Sequence, residues 1–360
     1  MNKCFITKLP SSVDNDNLPV LGQLRINWLK QSDLTDNSQR AVRLSTNDSI
    51  TVKVSGAHFT DSTLASNLGN TKTITAADSI ALLYVSNDAD AVLTIDNKYS
   101  LTAINFPSIN KTYSVYFDIE DIEYCTNLTL LNLSNTQVSG DISALSNITN
   151  MRLLKCANTR ITGNISALSN MNVISQIDLS NTNVSGDISA LSQLTNLVNL
   201  LLSNTNVSGD ISALSNLVNL STLTLDFTQI SGKIDSLANL TKLITLSGLK
   251  GLSLTGDMSK IPAGVYFISQ ANRKVTTNFT WTAKGRQNAT LLAMEGNVPF
   301  DTASMDNMLI DQATCTLKSA GNSPWLKTIS VSGNRTSASD AAVAAIQNMG
   351  VTITGVTKQA

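Results

Sequence analysis

The sequence predicts an α/β-type solenoid, a parallel sheet of stacked coils with a β-rich module before it and a small βαβ cap after it. Three observations point there. Glycine recurs at Gly140, Gly163, Gly186, Gly209 and Gly232, an interval of 23 residues, with Gly256 one residue late. Aliphatic residues keep fixed offsets from each glycine, as in Leu197, Leu200, Leu202 and Val207, then Leu220, Leu223, Leu225 and Ile230. The chain is 42% hydrophobic and 14% charged, and Ser, Thr and Asn supply 121 of its 360 residues. A large core must therefore be covered by neutral hydroxyls and amides, and global disorder is excluded.

A 23-residue coil buries almost nothing alone, so coils must stack and share one core. In each coil the L-x-L segment alternates as a strand does, which points Leu200 and Leu202 inward and Asn199, Leu201 and Ser203 outward. Adjacent coils then pair in parallel. Thr136, Thr159, Thr182, Thr205 and Thr228 recur where a hydroxyl can satisfy turn backbone groups. The glycine column is a backbone requirement of a turn, since no phosphate-binding spacing follows it. The acidic residues after the glycines, Asp141, Asp187, Asp210 and Asp257, are interrupted by Asn164 and Lys233 and lack a calcium-binding pattern, so they are expected to be solvated turn residues.

The segment NLVNLLLSNTNVSGDISALSNL resembles a leucine-rich repeat of the internalin-like type, with an added glycine similar to the LxGxI turn of plant-type repeats. The resemblance covers roughly 117 to 256. Its first block, FDIEDIEYCTNLTLLNLSNTQVS, has Phe117 in the glycine position, as a capping coil would. Many such repeats place an inward Asn where this chain has its Thr column. Cys125 and Cys156 fall on apolar positions of the pattern and are expected to be buried thiols.

The flanks divide the chain into a β-rich module at 1–105, the solenoid at 106–270 and an α/β continuation and cap at 271–360. In the first part, Leu24 to Trp28 and Ile50 to Val54 alternate apolar with polar residues. Ala91 to Ile95 and Tyr99 to Ile104, joined by Asp96, Asn97 and Lys98, suggest a hairpin leading into the solenoid. Trp28 is expected in the core. In the last part, Asp301 to about Thr316 carries a helix signal, an Asp cap with Met305, Met308 and Leu309 on one side. Strand 328–331, a capping box from Ser337 to Asp340, a helix over 339–349 ended by Gly350, and strand 351–354 form the βαβ unit, with Trp325 packed nearby.

Composition narrows the function. With 25 Lys and Arg against 26 Asp and Glu, no nucleic-acid footprint is present. His58 is the one histidine, which removes His-cluster zinc sites and weakens any Ser-His or Cys-His nucleophile. Cys4, Cys125, Cys156 and Cys315 form no CxxC pair, so neither a disulfide framework nor a metal knuckle is signalled. No stretch approaches about 20 apolar residues, so membrane insertion is not expected. The N-terminal run is too short for an export signal. No catalytic residue, cofactor or metal is called for.

What remains is the outward sheet face, where one side chain per coil forms a column. Asn132, Lys155, Asp178, Leu201 and Thr224 make the central column. Leu130, Leu153, Gln176, Asn199 and Thr222 flank it on one side, and Ser134, Ala157, Ser180, Ser203 and Asp226 on the other. The candidate binding face is Asn132, Lys155, Gln176, Asp178, Asn199, Leu201, Thr222, Thr224 and Asp226. Asp178 with Asp226 is the carboxylate pair a glycan-cleaving enzyme would need. The neutral composition and the leader MNKCFITKLPSSVDNDNLPVLGQLRI resemble structural or fibre proteins of tailed bacteriophages of gut bacteria. That resemblance implies a virion component assembled in the host cytoplasm, a homo-oligomer of trimeric type, with other virion proteins and a host surface glycan or protein as partners. A bacterial internalin-like surface adhesin is the alternative reading.

Overall fold

The structure, a computed structural model, describes residues 23–28, 41–55, 57, 59–60, 68–78, 81–85, 91–106, 115–247, 252–262, 265–268, 279–282, 294–313 and 328–359. Cys4, His58, Cys315, Trp325, the side chain of Trp28 and the leader before residue 23 lie outside what is described.

Each coil is built the same way. A three-residue strand carries the L-x-L segment, for example Asn199–Leu201, with Leu200 and Leu202 fully buried. The chain then turns through a residue with left-handed backbone: Asn135, Asn158, Asn181, Asn204 and Phe227 have φ between 54° and 62°. Asparagine tolerates this conformation because its short side chain bonds locally. The next residue is the Thr of the predicted column, which is buried and donates to the carbonyl three residues back, as Thr205 Oγ1 does to Leu202 O at 2.7 Å. A second strand follows, such as Asn206–Asp210, and then a 3-10 turn such as Ile211–Leu214.

The aspartates after the glycines lie at the solvated surface of the turns, as expected, except Asp257, which is buried, and they also serve as caps. Asp141, Asn164, Asp187, Asp210 and Asp257 each accept a hydrogen bond from the backbone N–H two residues on. The unpaired N–H groups that start a helical turn need such an acceptor. Where Lys233 breaks the series, its turn has no side-chain cap. Asp235, two residues later, instead accepts from Asp257 N at 2.7 Å. That substitution accompanies the coil that is one residue longer.

Among the described residues the L-x-L strands belong to a 14-stranded sheet, and the second strands form a six-stranded parallel sheet from Ser139–Asp141 to Ser253–Thr255. The N-terminal module contributes β1 (Leu24–Trp28), β2 (Ala41–Thr46), β3 (Ile50–Ser55), β4 (Phe59–Thr60), β5 (Thr71–Ile74), β6 (Ala81–Val85), β7 (Ala91–Ile95), β8 (Leu101–Asn105) and β9 (Val115–Tyr116). One antiparallel sheet has the order β5-β3-β7-β1-β9, while β4, β6, β2 and β8 are the first strands of the long sheet.

The expected hairpin of 91–95 with 99–104 is therefore absent. β7 pairs with β1 and β3, and β8 pairs with β2 and with Leu130–Asn132. Asn97 takes a left-handed conformation and a 3-10 turn follows over Lys98–Ser100, so the chain crosses from one sheet to the other. Nor does the Phe117 block end the solenoid. Phe117 is buried, Asp118 bridges in parallel to Ser139, and β9 joins the antiparallel sheet to the coils. One hydrophobic core runs through module and solenoid together.

Beyond the last regular coil the long sheet continues in parallel through Tyr266–Ile268, Met294–Pro299, Thr328–Arg335 and Thr352–Lys358. The βαβ unit is present and supplies the last two of these strands. Helices α1 (Thr302–Ala313) and α2 (Asp340–Asn348) lie beside them. Asp301 caps α1 through Ser304 N at 2.8 Å, and Met305, Met308 and Leu309 are buried, as predicted. Gly350, with φ 77°, follows the end of α2. The core turns aromatic here, with Trp281 against Phe300 edge to face, 6.1 Å between centroids. The capping box from Ser337 to Asp340 does not form. Thr336 caps the turn before α2, and Ser339 Oγ donates to Asp306 at 2.6 Å. Asp340 is drawn instead to Arg335 and Lys358.

Candidate functional site

The outward face of the long sheet is assembled by register. Asn132 stands opposite Lys155, Lys155 opposite Asp178, Asp178 opposite Leu201, and Leu201 opposite Thr224. The flanking column runs Leu130, Leu153, Gln176, Asn199 and Thr222 in the same registers. Parallel pairing sets the spacing along each column at about 4.8 Å. All ten residues are half-buried.

The third column is more closed. Ser134 and Ala157 are buried, and Ser180, Ser203 and Asp226 are half-buried. The closure is confined to the first two of these five coils, a difference that sequence periodicity alone does not reveal. Local hydrogen bonds hold part of the face rigid. Asn132 Nδ2 donates to Asn105 Oδ1 at 2.9 Å, Asn132 Oδ1 accepts from Ser134 N, and Asp178 Oδ1 accepts from Ser180 N at 3.1 Å.

Chemically the face offers contacts. Leu130, Leu153 and Leu201 give it apolar patches, Lys155 and Asp178 give it charges of both signs, and Thr222 and Thr224 close it with hydroxyls. Asp178 and Asp226 lie in different columns with a full coil between their strands, so they do not flank one reacting point. Cys156, whose backbone N–H donates to Asp178 O, is fully buried, and burial followed by the Asp178 charge pushes its thiol well above the usual range. Burial likewise pushes Cys125 to about 11. Neither is a ready nucleophile. Among the described residues no group of three or more His, Cys, Asp or Glu side chains is placed to hold a metal ion. No helix among them is long and apolar enough to cross a membrane. A shallow groove of about 570 Å³ lies on the six-stranded sheet instead, between Asp210, Lys233, Asp235 and Thr255.

No protein-family model and no curated protein matches this chain. Among solved structures, PEPR1 in complex with AtPEP1 is similar at a TM-score of 0.52 and 17% identity, over 72% of this chain and 35% of that one. The fold is that of the leucine-rich repeat. The Arabidopsis receptor kinase HAESA, whose leucine-rich-repeat ectodomain was solved with an IDA peptide hormone ligand, is similar at 0.42 and 20% identity, over 66% of this chain and 49% of that one. The internalin InlF of Listeria monocytogenes is similar at 0.40 and 22%, over 73% and 84%. This chain spans about a third of the length of the PEPR1 chain. At these identities the likeness concerns the leucine-rich-repeat architecture.

Three exposed aromatic side chains escaped the sequence reading: Tyr99, Tyr124 and Phe227. Phe227 was detectable, since it breaks a column that is otherwise Asn135, Asn158, Asn181 and Asn204. Tyr124 sits in the irregular first coil, where no column exists to reveal it.

Proposed function

We propose that this chain is a non-enzymatic virion protein of a tailed bacteriophage, a tail or head fibre or adhesin subunit that touches the host surface or neighbouring virion proteins through the outward face of its long sheet. The observation that carries the contact role is the face itself: half-buried side chains fixed in register over successive coils, with both charges, apolar patches and no converging carboxylates. Such an array suits recognition of an extended surface and not turnover of a substrate. The particle assignment is supported by the neutral surface chemistry, in which Ser, Thr and Asn replace charge. In this reading the chain is found in the virion after assembly in the host cytoplasm, residues 1–105 anchor it to the particle, and 271–360 close the rod. Its partners are other virion proteins, a host glycan or protein, and copies of itself, three in the usual fibre arrangement.

Mass spectrometry of purified virions tests the assignment. Peptides of this chain in the particle support it. Recovery in secreted or cell-wall fractions alone replaces it with the internalin-like adhesin. Digestion of host polysaccharide by the purified protein, lost in Asp178→Asn, would replace both with a glycan-cleaving enzyme.

A further inference from the structure

We propose a second contact surface, distinct from the sheet face: Tyr99 and Tyr124 form an aromatic shelf that receives a Lys- or Arg-bearing segment of a partner protein. Only 5% of the chain is aromatic, and among the described residues Tyr99, Tyr124 and Phe227 are the exposed aromatic side chains. Two of these three come together at the junction between the N-terminal module and the solenoid. The turn over Lys98–Ser100 is tied to the turn Ile119–Ile122 and to the loop that follows it by one hydrogen bond each. Lys98 Nζ donates to Asp121 O at 2.5 Å, and Asn127 Nδ2 donates to Tyr99 O at 2.8 Å. Tyr99 is 37% exposed and Tyr124 58%.

The chemistry of the occupant follows from what surrounds the rings. Lys98 already places its ammonium 5.7 Å from the centroid of Tyr99, so one ring shows the kind of group it accepts. A cation over an aromatic face is attracted by the ring quadrupole. The seven residues from Asp118 to Tyr124 carry Asp118, Glu120, Asp121 and Glu123 and no base, in a chain whose net charge is -1. Asp118 and Glu120 are exposed and Asp121 and Glu123 half-exposed. A hydrogen bond with Glu123, then the charge of Glu123, holds the Tyr124 phenol above its ordinary value, which places that carboxylate beside the ring. Such a rim repels anionic headgroups and adds little for a neutral sugar, while a guanidinium or ammonium gains from rings and carboxylates together. Tyr124 also holds a left-handed backbone, φ 68°, which is uncommon for a bulky residue.

The test titrates fluorescently labelled octa-arginine against the full chain by anisotropy, with octa-serine and anionic lipid vesicles as comparison ligands. The parent is expected to bind octa-arginine alone. Tyr99→Ser with Tyr124→Asn, in which Asn suits the left-handed backbone, is expected to weaken binding about tenfold. Glu120→Gln with Glu123→Gln is expected to weaken it and to flatten its salt dependence. Should Tyr99→Ser lower the melting temperature, Tyr124→Asn by itself decides, with about a threefold loss expected. Unchanged affinity in the tyrosine variants overturns the proposal, whatever the glutamine variants do. So does binding of octa-serine or of vesicles as tight as that of octa-arginine.

Discussion

Gly209 lies directly over the carboxylate of Asp187, one coil away. A Cβ added to Gly209 would stand 2.7 Å from Asp187 Oδ1. That oxygen accepts the Ser189 N–H at 2.8 Å and so caps the 3-10 turn of its coil. The glycine column and the Asp column thus have one cause: each cap needs the space that the next coil leaves empty, and Gly209 also has φ of 109°. Gly209→Ala is predicted to cost about 2 kcal/mol or more, from backbone strain and displacement of the cap. Asp187→Ala is predicted to cost about 1 kcal/mol. The double variant should lose less than the sum, because Asp187→Ala clears the contact. Urea unfolding of the three variants measures this, and strict additivity would disprove the shared cause.

Phe227 is the bulky member of a left-handed column of asparagines, with φ of 54° and 42% of its surface exposed. Phe227→Asn is predicted to raise stability by about 0.5–1 kcal/mol, as relief of this backbone outweighs the modest loss of contact. A lower urea midpoint in Phe227→Asn would show that the ring is held by packing worth more than the strain.

The buried Thr column should be sensitive to loss of one atom. Thr205→Val keeps the volume but removes the donor to Leu202 O, and is predicted to cost about 1–2 kcal/mol, read as a shift in melting temperature. No shift would mean that the carbonyl finds another donor.

The solenoid was legible because its cause is local and repeated. Leu200 and Leu202 point inward for the same reason as Leu223 and Leu225, so register between coils follows from the 23-residue interval. The flanks were less legible because their pairings are not local. Asp96, Asn97 and Lys98 look like a hairpin turn, yet Asn97 starts a 3-10 turn that carries the chain between sheets, a choice set by β1 and β3, far away in sequence. Ser337 and Asp340 spell a capping box, but Asp306, on α1, takes the Thr336 and Ser339 hydroxyls. The three columns of the candidate face were legible by alternation, whereas the burial of Ser134 and Ala157, which Ser180, Ser203 and Asp226 do not share, has no counterpart in the repeat pattern.

Acid should act through two buried carboxylates, Asp257 at the end of the solenoid and Asp306 on α1. Desolvation pushes Asp257 upward, but bonds from Ser259 and Thr282 outweigh it and hold the group below the usual carboxylate range. Asp306 behaves alike, desolvated yet held down by Ser339 and Thr336. A carboxyl with a depressed folded value contributes stability that is full above its unfolded value, about pH 4, and is lost as pH falls through the folded value. Stability is therefore predicted to drop below about pH 4, with a shallower drop in Asp257→Asn and Asp306→Asn. Chemical denaturation from pH 6 to pH 2 checks it, and parallel curves for parent and variants would contradict it.

In the proposed function the outward face of the long sheet makes the contact. Purified chain competing with virions for adsorption to host cells tests it most directly, with Lys155, Asp178 and Asn199 replaced together by Ala and the melting temperature as a control on folding. The parent is expected to block adsorption and the folded triple variant is not. A triple variant that blocks as well as the parent would contradict it.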